Sequence, residues 1–108
     1  MMTNCKNNSK KDRRLYVLID NTLAPVYGAV QGGHAVAQYM IDYDSLDLWK
    51  NEYLIYLRCN IRYWSKKLAK MNIPYSKFYE PDLHGKLTAI SVCCDREVFK
   101  KLKILSTR

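Results

Sequence analysis

This sequence predicts an α/β domain, and the order of its apolar runs and amphipathic segments is what predicts it. Compact apolar runs alternate with stretches whose apolar residues recur at the helical period, giving the order β-α-β-α-β-β-α. Such alternation implies a sheet with parallel members packed under helices, and the closing β-β step supplies an antiparallel pair. The 108 residues suit one domain, because domains commonly hold about 100–150 residues. With 48% hydrophobic and 26% charged residues, the composition excludes a wholly disordered chain.

Residues 1–14 (MMTNCKNNSKKDRR) read as a basic, mobile arm without apolar periodicity, and the folded domain is expected over 15–108. Leu15–Asp20 (LYVLID) is the first strand. A loop with Pro25 leads to a helix over Gly28–Tyr43, whose Val30, Val36, Ala37, Met40 and Ile41 fit a period of 3.6. Gly28, Gly32 and Gly33 weaken its first turns by up to about 1 kcal/mol each. Glycines kept there imply close approach of a backbone or a ligand. Residues 44–52 form a polar link containing Trp49.

Tyr53–Cys59 (YLIYLRC) is a second strand, rich in aromatic and aliphatic side chains. Asn60 caps a helix over Ile61–Met71 that Asn72-Ile73-Pro74 ends. Tyr75–Tyr79 is a short third strand, and Glu80–Lys86 a loop with Pro81 and Gly85. Leu87–Cys94 (LTAISVCC) is continuously apolar, which suits a central strand covered on both faces. Asp95 is then expected to cap a last helix through Val98, Phe99, Leu102 and Leu105.

The net charge of +8 divides evenly, since residues 1–14 carry five basic groups and one acidic, and the remainder thirteen and nine. The folded part is thus mildly basic, which favours a phosphate-bearing partner but also serves solubility. Cys5, Cys59, Cys93 and Cys94 make no C-x-x-C pair and no Cys/His cluster. Buried reduced thiols, a reducing cytoplasm and the absence of a bound metal or cofactor are therefore expected. The N-terminus is polar and no apolar run approaches about 18 residues, so no signal peptide or membrane span is expected.

No Walker A loop, G-x-S-x-G elbow, H-E-x-x-H or G-x-G-x-x-G occurs. Two polar clusters remain, each near a strand's end or a helix's start, where α/β sheets bind ligands. The first is Tyr27-Gly28-Ala29-Val30-Gln31-Gly32-Gly33-His34. Early helical N–H groups suit phosphate or an oxyanion, and His34 suits acid–base work, although Gln31 and His34 equally suit plain packing against a loop. The second is Glu80-Pro81-Asp82-Leu83-His84-Gly85-Lys86-Leu87-Thr88. Its carboxylates suit water or a histidine and Thr88 suits a ribose oxygen, while the same acids equally suit capping of loop N–H groups.

These residues also carry a resemblance. LYVLIDNTLAPVYGAVQGGHAVAQYM resembles the opening strand, loop and helix of the type II peptidyl-tRNA hydrolases, with Val30-Gln31-Gly32-Gly33-His34-Ala35 matching their A-Q-x-x-H-A helix. FYEPDLHGKLTAIS is similar to their later acidic loop and T-A strand. The intervening Trp49-Lys50-Asn51 and the strand–helix unit look like compact relatives from bacteria and their phages, so the likeness spans about residues 15–105. It implies a three-layer α/β/α fold with a four-stranded mixed sheet, a homodimer, and hydrolysis of the ester joining a peptide to the tRNA 3′ ribose.

By that resemblance His34, Asp82 and Thr88 are the catalytic candidates. Tyr27, Gly28, Gln31, Gly32, Gly33, Glu80 and Lys86 are the ligand-binding ones. Asp82 or His34 would position water, with backbone N–H groups of Gly28–Gly33 or a nearby cation at the oxyanion. The family's catalytic lysine stands four residues before the glutamine, where this chain has Tyr27, and a second lysine position holds Pro25. The resemblance therefore leaves two expectations open. One is an esterase acting on the tRNA acceptor end. The other is a non-catalytic module of the same fold that binds tRNA ends or, in a phage-like setting, sequesters a signalling nucleotide.

Overall fold

The computed structural model describes residues 14–43 and 49–100, and the backbone of 103–107. The elements are β1 (Arg14–Asp20), α1 (Pro25–Asp42), β2 (Tyr53–Cys59), α2 (Ile61–Ala69), β3 (Tyr75–Glu80), β4 (Lys86–Cys94) and β5 (Lys103–Thr107). Short 3-10 turns occupy Pro81–Leu83 and Arg96–Val98. The α/β class and the mixed sheet follow the sequence reading. The sheet order is β3-β4-β1-β2-β5. β1 and β2 pair in parallel, whereas β4 runs antiparallel to both β1 and β3. The C-terminal ends of β1, β2 and β3 thus share one edge of the sheet with the start of β4.

Side chains of β1 alternate between two cores, as a period of two requires. Leu15, Val17 and Ile19 pack with Ala35, Tyr39, Ala89 and Cys93 on the α1 side. Tyr16 and Leu18 pack with Ile61, Leu68, Ile90 and Phe99 on the α2 side. β1 and β4 are buried almost throughout, in keeping with their central places.

Two elements differ from the sequence reading. α1 begins at Pro25 instead of Gly28, because proline's fixed φ and missing N–H suit the first helical position. The expected last helix is replaced by a strand. Asp95 does cap, its Oδ1 accepting the Glu97 N–H at 3.1 Å, but only one 3-10 turn follows. Phe99 then folds back onto Tyr16 and Trp64, with ring centroids 4.9 and 5.0 Å away. From there Lys103–Thr107 pairs antiparallel with the free edge of β2 and so adds a fifth strand to the expected four. Leu102 and residues 1–13 lie outside the described residues, and Arg14, read as the arm's last residue, opens β1.

Cys59 and Cys94 are buried free thiols, and desolvation pushes both thiols well above the ordinary range, Cys59 to about 12. Cys93 is also buried. Among the described residues no helix is long and apolar enough to cross a membrane.

Candidate functional site

One stripe of α1 carries Tyr27, Gln31, His34 and Gln38, at the three- and four-residue spacing that shares a helix face. This stripe lies along β3, an edge strand, and is tied to it at both ends. Near the C-terminal end of α1, Ser76 Oγ donates to Asp42 Oδ2 at 2.6 Å, and Tyr43 Oη accepts the Tyr75 N–H at 3.1 Å. Halfway along, the His34 ring stacks on Phe78, with centroids 4.5 Å apart and planes 11° from parallel. At the N-terminal end, Gln31 Nε2 donates to Glu80 Oε1 at 2.7 Å.

Thr88 completes this junction because of a bulge. Phe78 pairs with Ala89 and Tyr79 with Leu87, so Thr88 is an extra residue on β4. Leu87 and Ile90 pack on the α2 side. Ala89, between them, packs on the α1 side, and Thr88 joins it there. The Thr88 hydroxyl donates to Gln31 Oε1 at 2.7 Å. Gln31 therefore links the acidic loop and the following strand, residues 49 and 57 positions away in sequence.

Glu80 closes the loop above this junction, its Oε2 accepting the Asp82 N–H at 3.1 Å. The Gly85 N–H returns to the Glu80 carbonyl at 2.9 Å, and Gly85 takes φ +77°, which glycine adopts without strain. The Asp82 N–H, then the Gln31 amide, then the field of His34 hold the Glu80 carboxyl below its ordinary value, outweighing desolvation. Glu80 is thus an anion and an acceptor only. Desolvation and the carboxylates of Glu80 and Asp82 raise the Tyr27 phenol, which stays neutral.

Beside this junction, on the same sheet edge, a cavity of about 470 Å³ lies between Asp20–Thr22, Asn60–Arg62 and Lys86–Leu87. Lys86 Nζ stands 3.2 Å from Asp20 Oδ2, and the other Asp20 oxygen accepts the Thr22 N–H at 3.1 Å. Arg58 pins the same loop, donating to the Asn21 and Leu23 carbonyls at 2.9 and 3.1 Å. Asn60 Oδ1 caps α2 by accepting the Tyr63 N–H.

The residues singled out from sequence separate into three groups. Tyr27, His34, Asp82, Lys86 and Gly33 are exposed and reachable by a ligand. Gln31, Thr88 and Glu80 are buried and already paired, so they position the edge instead of facing it. Gly28 and Gly32 are packing glycines: a Cβ on Gly28 would stand 2.8 Å from Ile19, and one on Gly32 2.8 Å from the Tyr56 ring. Their N–H groups cannot form an oxyanion hole. That of Gly28 is bonded to the Ala24 carbonyl at 2.8 Å, and residues 29–33 lie within the helix.

The sequence reading passed over Asp20, Asn21, Thr22, Asn60 and Arg62. A polar run directly after a strand, and an N-cap at the end of its parallel neighbour, are the signals that mark them. The Trp49 ring packs near Leu15 and Tyr39, and its Nε1 donates to the Tyr53 carbonyl at 3.0 Å. No protein-family model matches the chain, and no curated protein or solved structure is significantly similar to it.

Proposed function

We propose that this chain is a peptidyl-tRNA-hydrolase-like protein that receives the 3′ end of a charged tRNA at the C-terminal edge of its sheet. The observation that carries this reading is the meeting of the two resembling segments through Gln31, which bonds Glu80 on one side and Thr88 on the other. In the proposed reaction, His34 or Asp82 orients a water against the ester carbonyl. Water adds to the carbonyl carbon, the oxyanion collapses, and the ribose oxygen leaves with a proton. Lys86, the cation that ends the acidic loop, would meet the oxyanion by sharing its contact with Asp20. A tRNA substrate places the protein in the cytoplasm.

Release of N-acetyl amino acid from N-acetyl-aminoacyl-tRNA tests this. Wild type should release product, Lys86→Met should slow release by about 10²-fold, and Tyr27→Lys should accelerate it, on the scale of single oxyanion donors. No release from wild type or from Tyr27→Lys, with the fold intact, removes the enzyme.

A second reading is favoured by one observation. Tyr27 is a neutral phenol where the resembling family has its lysine, and Lys86 is already held by a carboxylate. A protein so arranged binds the tRNA end, or a smaller signalling nucleotide, without cleaving it. Mass spectrometry of the purified protein for a retained nucleotide separates the two. The homodimer belongs to either reading. Val26, Val30, Met40 and Ile41 are exposed on α1, a helix with a single charged residue in a chain of net charge +8. Light scattering should give twice the 12.7 kDa chain mass.

A further inference from the structure

The sheet edge is reached along α2, and the outward face of that helix has an unusual charge. Arg62, Lys66, Lys67 and Lys70 are all exposed, with no acidic residue anywhere from Asn60 to Pro74. Among the described residues the ion pairs are Lys86–Asp20 and Lys100–Glu97, so no carboxylate neutralises these four cations. Arg62, Lys66 and Lys70 follow at four-residue intervals on one face. Tyr63, Lys66, Lys67, Lys70 and Met71 line a groove of about 530 Å³.

Aromatic rings stand within this basic face. The Lys67 ammonium lies 5.7 Å over the Tyr63 ring and 5.5 Å over Trp64, and Tyr63 itself is exposed. Interleaved cations and exposed rings are the chemistry that follows a nucleic-acid strand. A bilayer is disfavoured, because an interfacial helix needs a free apolar face and α2 has already buried Ile61 and Leu68 in the core. Arg62 belongs to both surfaces: it starts the basic face and lines the cavity at the sheet edge.

We infer that α2 is a docking track for the sugar–phosphate backbone of RNA, leading a strand toward the cavity beside Lys86. The strand's destination rests on the function proposed above; its binding does not. The probe is a fluorescein-labelled hairpin RNA with an unpaired 3′ end, titrated by anisotropy with the full chain. Lys66→Glu and Lys70→Glu should each weaken binding about tenfold at about 100 mM salt and lower the salt slope by about 1. Lys50→Glu makes the same charge change before β2, at the opposite sheet edge, and should stay within about twofold of wild type.

Equal loss in all three variants would leave only net charge at work and overturn the assignment. So would the absence of salt-dependent RNA binding in wild type, or equal loss of binding to anionic phosphatidylserine vesicles. N-acetyl-aminoacyl-adenosine, too short to reach α2, should be cleaved equally by wild type and Lys66→Glu. If none of the proteins cleaves it, the hydrolase reading fails while the RNA titration still decides the track.

Discussion

Gln31 uses its amide nitrogen on Glu80 and its amide oxygen on Thr88, and it is 1% exposed. Removing it strands the buried Glu80 oxygen and leaves the Thr88 hydroxyl only its longer contact with the Phe78 carbonyl at 3.5 Å. Gln31→Leu should therefore cost about 2–4 kcal/mol, read from denaturant midpoints, well beyond the loss of one ordinary hydrogen bond. The polar partners of Glu80 have a second consequence. They hold its carboxyl below the ordinary value, so the stability it adds is complete above about pH 5 and fades as pH falls through the lowered folded value. Wild type should lose stability as pH falls below about 5, and Glu80→Gln should show a shallower fall; identical slopes would contradict this.

At the scale of elements, α1 lies close to β1 and β2 because two of its glycines allow it. Gly32 and Gly33 are neighbours with opposite surroundings, one against Tyr56 and Val17, the other facing open space. Gly33→Ala should stabilise by up to about 1 kcal/mol through helix propensity. Gly32→Ala should instead cost about 1–3 kcal/mol by overpacking. Thermal melts of the two variants check the pair. The sequence reading of glycines 28, 32 and 33 as marks of a close approach holds for 28 and 32 and fails for Gly33, where nothing lies within 4 Å of a Cβ. That the first two approach core side chains instead of a ligand was not legible, since spacing on a helix does not say what lies opposite.

The strands were similarly half legible. LYVLID and LTAISVCC read as apolar strands because β1 and β4 are central and covered on both faces. The bulge at Thr88 left no trace, since a continuous apolar run shows no break in alternation when one extra residue is inserted. Without it Thr88 would face the α2 side, away from Gln31. The C-terminal strand was missed for a related reason. Val98, Phe99, Leu102 and Leu105 fit a helical spacing, but the open edge of β2, a partner far away in sequence, decides the outcome.

Across the whole molecule, the ends of three parallel strands and the start of β4 bring the α1 stripe, the acidic loop and the Asp20–Lys86 cavity to one edge. Sequence located the first two, through the Gln31–His34 and Glu80–Thr88 segments. It did not join them to Asp20 and Asn60, because that neighbourhood exists only once β1 and β2 pair. Lys86 belongs to both the acidic loop and the cavity, so a ligand reaching that cavity meets a cation already engaged by the buried Asp20.

Backbone amide shifts of isotope-labelled protein, followed by NMR while a short RNA ending in an unpaired 3′ strand is added, test that convergence most directly. The account predicts saturable shifts at His34, Asp82, Lys86 and Asn60–Arg62 together, with one dissociation constant. Shifts confined to the basic arm, or separate constants for the α1 side and the cavity side, would contradict it.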